Sequence, residues 1–232
     1  HDTGTVLREV LGFDEAIKVA ANFAARHPQD TLIIVTGDHE TGGLCFSGTP
    51  EQLRCLDAQK HSSEYFSREL KMLKQRAGTD KLNEARKLVT KCFGLLFDGE
   101  GAMALTAEEK VVMEAALLQA LGEKATIEAG FYMTASAAVN AGKNPGAVYL
   151  ASLLLSRRAG VVWAARDHTA LPVRTSAMGH QAELFLSPGN LTEEQKKMHH
   201  THDPNINIPT PELENSDIGA RLKQLLAPIS PR

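Results

Sequence analysis

Asp38 and His39 stand side by side directly after the apolar run 31–36, with Gly37 before the pair and Gly42-Gly43 soon after it. A hard carboxylate oxygen beside an imidazole nitrogen is a usual donor pair for zinc, and in open α/β sheets functional groups gather at the carboxyl ends of strands. Such a dipeptide is more often a turn with a locally satisfied histidine, so on these residues alone both readings stay open. The second candidate is Asp167-His168-Thr169, again just after a strand-like run, 161–164, and again followed by a chain that turns back through Pro172. Two histidines that each end a strand can reach one metal site if the strands are neighbours. Two unrelated loop histidines is the alternative.

The remaining histidines carry less. His199, His200 and His202 sit in a polar, proline-bearing stretch, where adjacent histidines read as a solvated surface. His180 reads as a structural histidine near the His168 segment, and His27 and His61 as boundary and surface residues. The loop Asp98-Gly99-Glu100-Gly101 has the look of a calcium loop but lacks oxygen ligands at alternate positions and the closing glutamate.

The elements that must position these groups follow from periodicity. Val6, Val10, Phe13, Ile17, Ala21 and Ala24 recur at three- and four-residue steps, which predicts an amphipathic helix over 6–26. His27-Pro28 ends it, because proline disfavours helical geometry in the residue before it. The run 31–36 follows at once, and its unbroken β-branched character predicts a strand covered on both faces, as in a mainly parallel sheet. From about 50 to 158 the pattern turns helical, with helices predicted at 61–77, 80–93, 106–121 and 145–158, and Thr106 to Glu109 has capping-box spacing. Strand signals return at 159–164, 172–177 and 182–185, and a short helix is predicted near 217–226. A helical block thus interrupts an α/β frame.

Composition sets the bounds on partners. With 232 residues, 43% of them hydrophobic, the chain can bury a sizeable core. A formal net charge of −3 gives no global basic field that would argue for nucleic acid or an anionic membrane surface, and no nucleic-acid partner is expected. No apolar run approaches the roughly 20 residues that span a bilayer, so no membrane span is predicted. Cys45, Cys55 and Cys92 are too few and too irregularly spaced for a disulfide framework, and no structural disulfide is expected.

The run 31–43, ending Thr36-Gly37-Asp38-His39-Glu40-Thr41-Gly42-Gly43, resembles the segment of bacterial alkaline phosphatases that supplies an aspartate and a histidine to a zinc ion. His168-Thr169, followed by Pro172-Val173, Ala177, Gly179, Ala182 and Phe185, resembles the later segment whose histidine binds the other zinc, and Asn215-Ser216-Asp217-Ile218 resembles the motif opening the last helix. The resemblance covers about 1–48 and 159–226. It implies an alkaline-phosphatase-like α/β fold, a mainly parallel sheet flanked by helices, with residues 1–232 as the C-terminal part of one domain and 50–158 as a large helical insertion, a crown or lid.

The resemblance further implies Asp38, His39 and His168 as metal ligands, two zinc ions and one magnesium as cofactors, and hydrolysis of small-molecule phosphate monoesters through a phosphoserine. It is compatible with a homodimer and points to a periplasmic or secreted protein. No Asp-Ser-Ala or Asp-Ser-Gly stands in this sequence, so the nucleophilic serine and the magnesium ligands are expected upstream of it. His1 falls at an asparagine position of the family stretch and stays outside the site. Two other readings remain: a phosphodiesterase- or sulfatase-type hydrolase of the same superfamily, and a non-catalytic metal-binding or interaction fragment. The chain is expected to bring strands 31–36 and 160–165 side by side, so that Asp38, His39 and His168 share a pocket.

Overall fold

The computed structural model describes residues 1–77, 80–125, 146–165, 167–185 and 215–226. The chain divides into two compact units, one of residues 1–13 and 41–169, the other of residues 14–40 and 170–232. Helix α1, Thr3–Arg26, gives its first turns to the first unit and the remainder to the second.

The first unit is mainly helical: α2 (Pro50–Leu53), a 3₁₀ turn (Arg54–Ala58), α3 (Ser63–Gln75), α4 (Lys81–Phe93), α5 (Ala107–Leu121) and α6 (Ala147–Arg158). Each of α2 to α5 begins on a side chain that accepts an otherwise unpaired amide: Thr49, Ser62, Asp80 and Thr106. Thr106 and Glu109 complete the capping box anticipated from their spacing. Glycine stops α4 and α5, at Gly94 and Gly122, both left-handed. The apolar faces of α3 to α6 meet in one core, where Phe66 packs edge-on against Phe93 at 5.3 Å and Met113, Leu117, Leu150 and Leu154 are fully buried. Arg158, at the end of α6, pairs with Glu109 at 2.6 Å and donates to the carbonyls of Ala102 and Ala104, which fixes the loop before α5.

Two short strands complete this unit. β2 (Leu44–Phe46) runs antiparallel to β3 (Val161–Trp163), with Leu44 opposite Trp163 and Phe46 opposite Val161. β2 escapes a pattern-based reading because three residues between a glycine pair and Ser47-Gly48 are too few to show a period.

In the second unit, β1 (Leu32–Val35) pairs antiparallel with β4 (Ser176–Gly179), with Leu32 opposite Gly179 and Val35 opposite Ser176. A Cβ on Gly179, whose φ is +99°, would collide with the Thr31 carbonyl oxygen. A 3₁₀ turn (Ala182–Phe185) and helix α7 (Asn215–Leu226) follow, and buried Arg221 donates to the Leu184 carbonyl.

Several expectations are corrected. The described strands form two two-stranded antiparallel sheets, β1 with β4 and β2 with β3, where a mainly parallel sheet was expected. An unbroken apolar run shows that a strand seeks cover but not which way its neighbour runs. All four residues of β1 are half-buried and so not covered on both faces. Residues 182–185 form a 3₁₀ turn and not a strand, because Gly179 and Gln181 both take positive φ, +99° and +59°, and turn the chain out of the extended region. β4 begins at Ser176, later than the run 172–177 suggested, and Pro172 has no amide to give to a ladder. The histidines at 199, 200 and 202 lie outside the described residues. Among the described residues no helix is long and apolar enough to cross a membrane, and Cys45, Cys55 and Cys92 are free.

Asp2 ties α1 to the helices. Its carboxylate accepts from the Ser63 amide at 2.6 Å, from the Thr5 hydroxyl at 2.8 Å and from Gln59 Nε2. Burial pushes this carboxyl up, but the hydrogen bonds from Ser63, Gln59 and Thr5 together outweigh it and hold the pKa below the ordinary 3.8. A folded pKa below the unfolded one stabilises at pH above the unfolded value, and the gain disappears as pH falls through the folded value. Asp2→Asn is therefore expected to cost about 1–2 kcal/mol at pH 7, the lower part of the range for hydrogen bonds to a charged group because the carboxylate is only half-buried. Urea unfolding should show that gap between wild type and variant narrowing below about pH 4 and nowhere above it.

Candidate metal centre

Asp38 and His39 leave the end of β1 just beyond a hydroxyl clasp. After the last ladder pair, Val35 and Ser176, the Thr36 and Thr175 hydroxyls lie 2.8 Å apart and hold the two chains together one step further. Gly37 follows, and Asp38 then folds back so that its Oδ1 accepts the His39 amide at 3.0 Å.

The histidine is oriented by the backbone. His39 Nδ1 lies 2.7 Å from the Glu40 carbonyl oxygen. A carbonyl only accepts, so Nδ1 carries the proton and the lone pair of the neutral ring sits on Nε2. Nε2 is 3.6 Å from Asp38 Oδ2, and the two side chains are 47% and 85% exposed. An imidazole that donates through one nitrogen to a carbonyl and leaves the lone pair of the other for an ion is the usual arrangement of a zinc-ligating histidine. Asp38 and His39 therefore fit as two ligands of a zinc ion, one or two short of a full shell.

His168 belongs to the other unit. It is exposed, five residues beyond Trp163 at the end of β3. Its strand pairs with β2 while β1 pairs with β4, so the expectation that strands 31–36 and 160–165 run side by side is overturned. Among the described residues no three histidine, cysteine, aspartate or glutamate side chains gather as a metal cluster. The structure joins Asp38 to His39 and leaves His168 separate in the sheet topology.

The glycine pair after the motif has a packing role. Gly42 and Gly43 have φ of +120° and +65°, and their carbonyls accept the amides of Ala165 at 3.1 Å and Ala164 at 3.2 Å. These bonds extend the β2–β3 ladder towards His168. The His1 ring sits edge-on to Trp163 at 4.5 Å, and His1 Nε2 is buried without a hydrogen-bond partner among the described residues. Of the other histidines, His61 stacks on Tyr65 at 4.1 Å, His27 tilts over Phe23 at 4.5 Å, and the His180 amide donates to the Thr31 carbonyl at 2.8 Å. The group that pattern reading missed is the Glu40 carbonyl, which holds His39 Nδ1 through a backbone atom.

The alkaline phosphatase family model matches residues 1–203. Over 199 residues the chain is 26% identical to alkaline phosphatase 4 of Bacillus subtilis, covering 84% of this chain and 34% of that protein. Over 78 residues it is 36% identical to the repressible alkaline phosphatase of Saccharomyces cerevisiae, covering 30% of this chain and 14% of that one. Among solved structures, the crystal structure of a cold-active alkaline phosphatase from a psychrophilic Shewanella matches with a TM-score of 0.50 at 21% identity, over 79% of this chain and 37% of the other. That likeness shows the α/β fold. The chain spans about a third or less of the length of each of these relatives.

Gly42 supplies a test of the loop. A Cβ there would collide with His1 Nε2 and come within 3.1 Å of the Ala165 carbonyl oxygen, whereas a Cβ at Gly101, φ +103°, would meet nothing within 4 Å. Both alanine substitutions carry backbone strain of about 1–3 kcal/mol. Gly42→Ala is expected to be the more destabilising in urea unfolding by a further ~1 kcal/mol or more, because only it adds a steric clash.

Proposed function

This chain belongs to the alkaline phosphatase family, and on that premise we propose that it is the zinc-ligating, C-terminal part of a metal-dependent phosphatase that hydrolyses small phosphate monoesters through a phosphoserine. The observation that carries the reading is the family match over residues 1–203, within which Asp38, His39 and His168 all fall. The serine, the remaining zinc ligands and the magnesium ligands come from polypeptide other than these 232 residues. Residues 50–158 are the family fold's helical insertion.

Each residue has a defined task in this reading. Asp38 contributes an anionic oxygen and His39 a neutral nitrogen to one zinc, and the Glu40 carbonyl keeps the His39 lone pair on Nε2. His168 contributes to the other. Zinc, when bound, supplies the positive charge that lowers the pKa of the attacking serine and offsets the charge on the phosphoryl oxygens. Asp and His suit these places and Lys does not, because a ligand must offer a lone pair while leaving phosphate oxygens free to reach the ions. Export to the periplasm or the cell exterior, and a homodimeric state, accompany the proposal.

The exposed apolar side chains of α1 favour the reading that more of the fold belongs beside this chain. Val10 and Phe13 on its apolar stripe, and Leu11, Val19 and Phe23 off it, are all exposed.

The chain alone is expected not to turn over phosphate monoesters even with zinc and magnesium supplied, because it offers two ligands to one zinc, one to the other and no serine. A longer protein that contains it should be active, and His168→Ala there should lower activity at least tenfold, on the scale of a lost metal contact. A chromogenic monoester assay on the chain, the longer protein and the variant decides this. Robust zinc-dependent turnover by the chain, or full activity in the variant, refutes the assignment; a preference for diesters or sulfate esters in the longer protein would shift it to the related hydrolases.

A further inference from the structure

We infer that the Thr3 hydroxyl is a positioning group for the strand end that leads into His168, acting as the buried middle link of a hydrogen-bonded chain that runs from Trp163 to helix α6. Its value to a metal site rests on the reading of His168 as a zinc ligand.

The proton order in this chain is fixed by chemistry. The Trp163 indole can only donate, and its Nε1 lies 2.9 Å from Thr3 Oγ1. The Ser156 hydroxyl donates to the Ser152 carbonyl at 2.7 Å, so its one proton is used. The 2.7 Å contact between Thr3 Oγ1 and Ser156 Oγ is then a bond in which Thr3 donates. The sequence is indole N–H to Thr3, Thr3 to Ser156, and Ser156 to the α6 backbone. Thr3 is 2% exposed and Ser156 1%, so water does not replace a missing link easily.

Trp163 is the last residue of β3, opposite Leu44. The amides of the next two residues, Ala164 and Ala165, bond to Gly43 and Gly42. His168 stands three residues beyond Ala165. An indole held by Thr3 fixes the end of β3 against the core of the first unit and so fixes where the Gly42-Gly43 ladder releases the chain. An indole that loses the Thr3 acceptor loses the bond that fixes its orientation, and a rotation of the ring takes the strand end with it.

Trp163 is the sole tryptophan of these 232 residues, so in this chain its indole N–H resonance reports this one bond. The test compares wild type, Thr3→Val, Thr3→Ser and Trp163→Phe by proton NMR of the indole and of the His168 ring, without metal, with His168→Ala assigning the ring signal. Thr3→Val is expected to shift both signals and Thr3→Ser to restore both. Trp163→Phe, which removes the donor and leaves no unpaired group, should reproduce the His168 shift even if Thr3→Val does not fold. A His168 signal that stays at its wild-type position in Trp163→Phe, or in a folded Thr3→Val whose indole has moved, overturns the inference.

Zinc titration of the longer protein against a competing chelator then tests the reading beneath it. His168→Ala should weaken binding, and Thr3→Val should weaken it by about tenfold, the lower end of what lost support to a metal ligand costs. His168→Ala with unchanged zinc affinity would refute the ligand role while the NMR result on positioning still stood. Unchanged affinity in Thr3→Val alone would overturn the link between Thr3 and the metal.

Discussion

The first unit depends on satisfying the polar groups that α1 buries when its first turn enters the helices. Thr3, Gln59, Ser152 and Ser156 are all inside, and an unpaired buried polar group costs about 1–3 kcal/mol. The solution is a seam of mutual partners: Asp2 collects donors from Ser63, Thr5 and Gln59, while Thr3 connects Trp163 to Ser156. Ser63 also meets Ser152 at 3.1 Å, which closes the seam between α3 and α6. Arg8 adds to it by donating to the Gln59 carbonyl at 2.9 Å. The apolar core alone would hold the helices together; the seam decides where α1 and β3 attach to them.

What the sequence made legible follows from the range of the signals it carries. Helices α3 to α6 were readable within a few residues at each end because period, caps and terminal glycines are local facts. Strand pairing was not, since the partner of Leu32 is Gly179 and nothing in either stretch names the other. The same split divides the candidate site. Asp38 and His39 were legible as a donor pair because they are adjacent, and their side chains lie 3.6 Å apart at the end of β1. Their relation to His168 was a statement about sheet order, and the strands that carry them proved to be in different sheets.

The half-buried state of β1 and the exposed apolar side chains of α1 belong together. Both stretches have the composition of elements that are covered on more than one side, and both have less cover than that composition calls for. The chain spans 14%, 34% and 37% of the length of the three relatives named above. In the proposed reading the missing cover is the remainder of an alkaline phosphatase fold, and the same remainder brings the serine. Stability and catalysis would then be completed by one event.

The bond between Trp163 and Thr3 joins residues 160 apart in the chain, whereas the caps of α2 to α5 each reach only three residues. Closing a long loop costs entropy before any contact repays it, and local contacts form first. The helices are therefore expected to assemble early during refolding and the strand end to be captured late. Such an order would appear as a tryptophan fluorescence phase slower than the recovery of helical circular dichroism, and coincident phases would exclude it. A newly made chain would carry a finished helical scaffold for some time before its β3 strand end was seated.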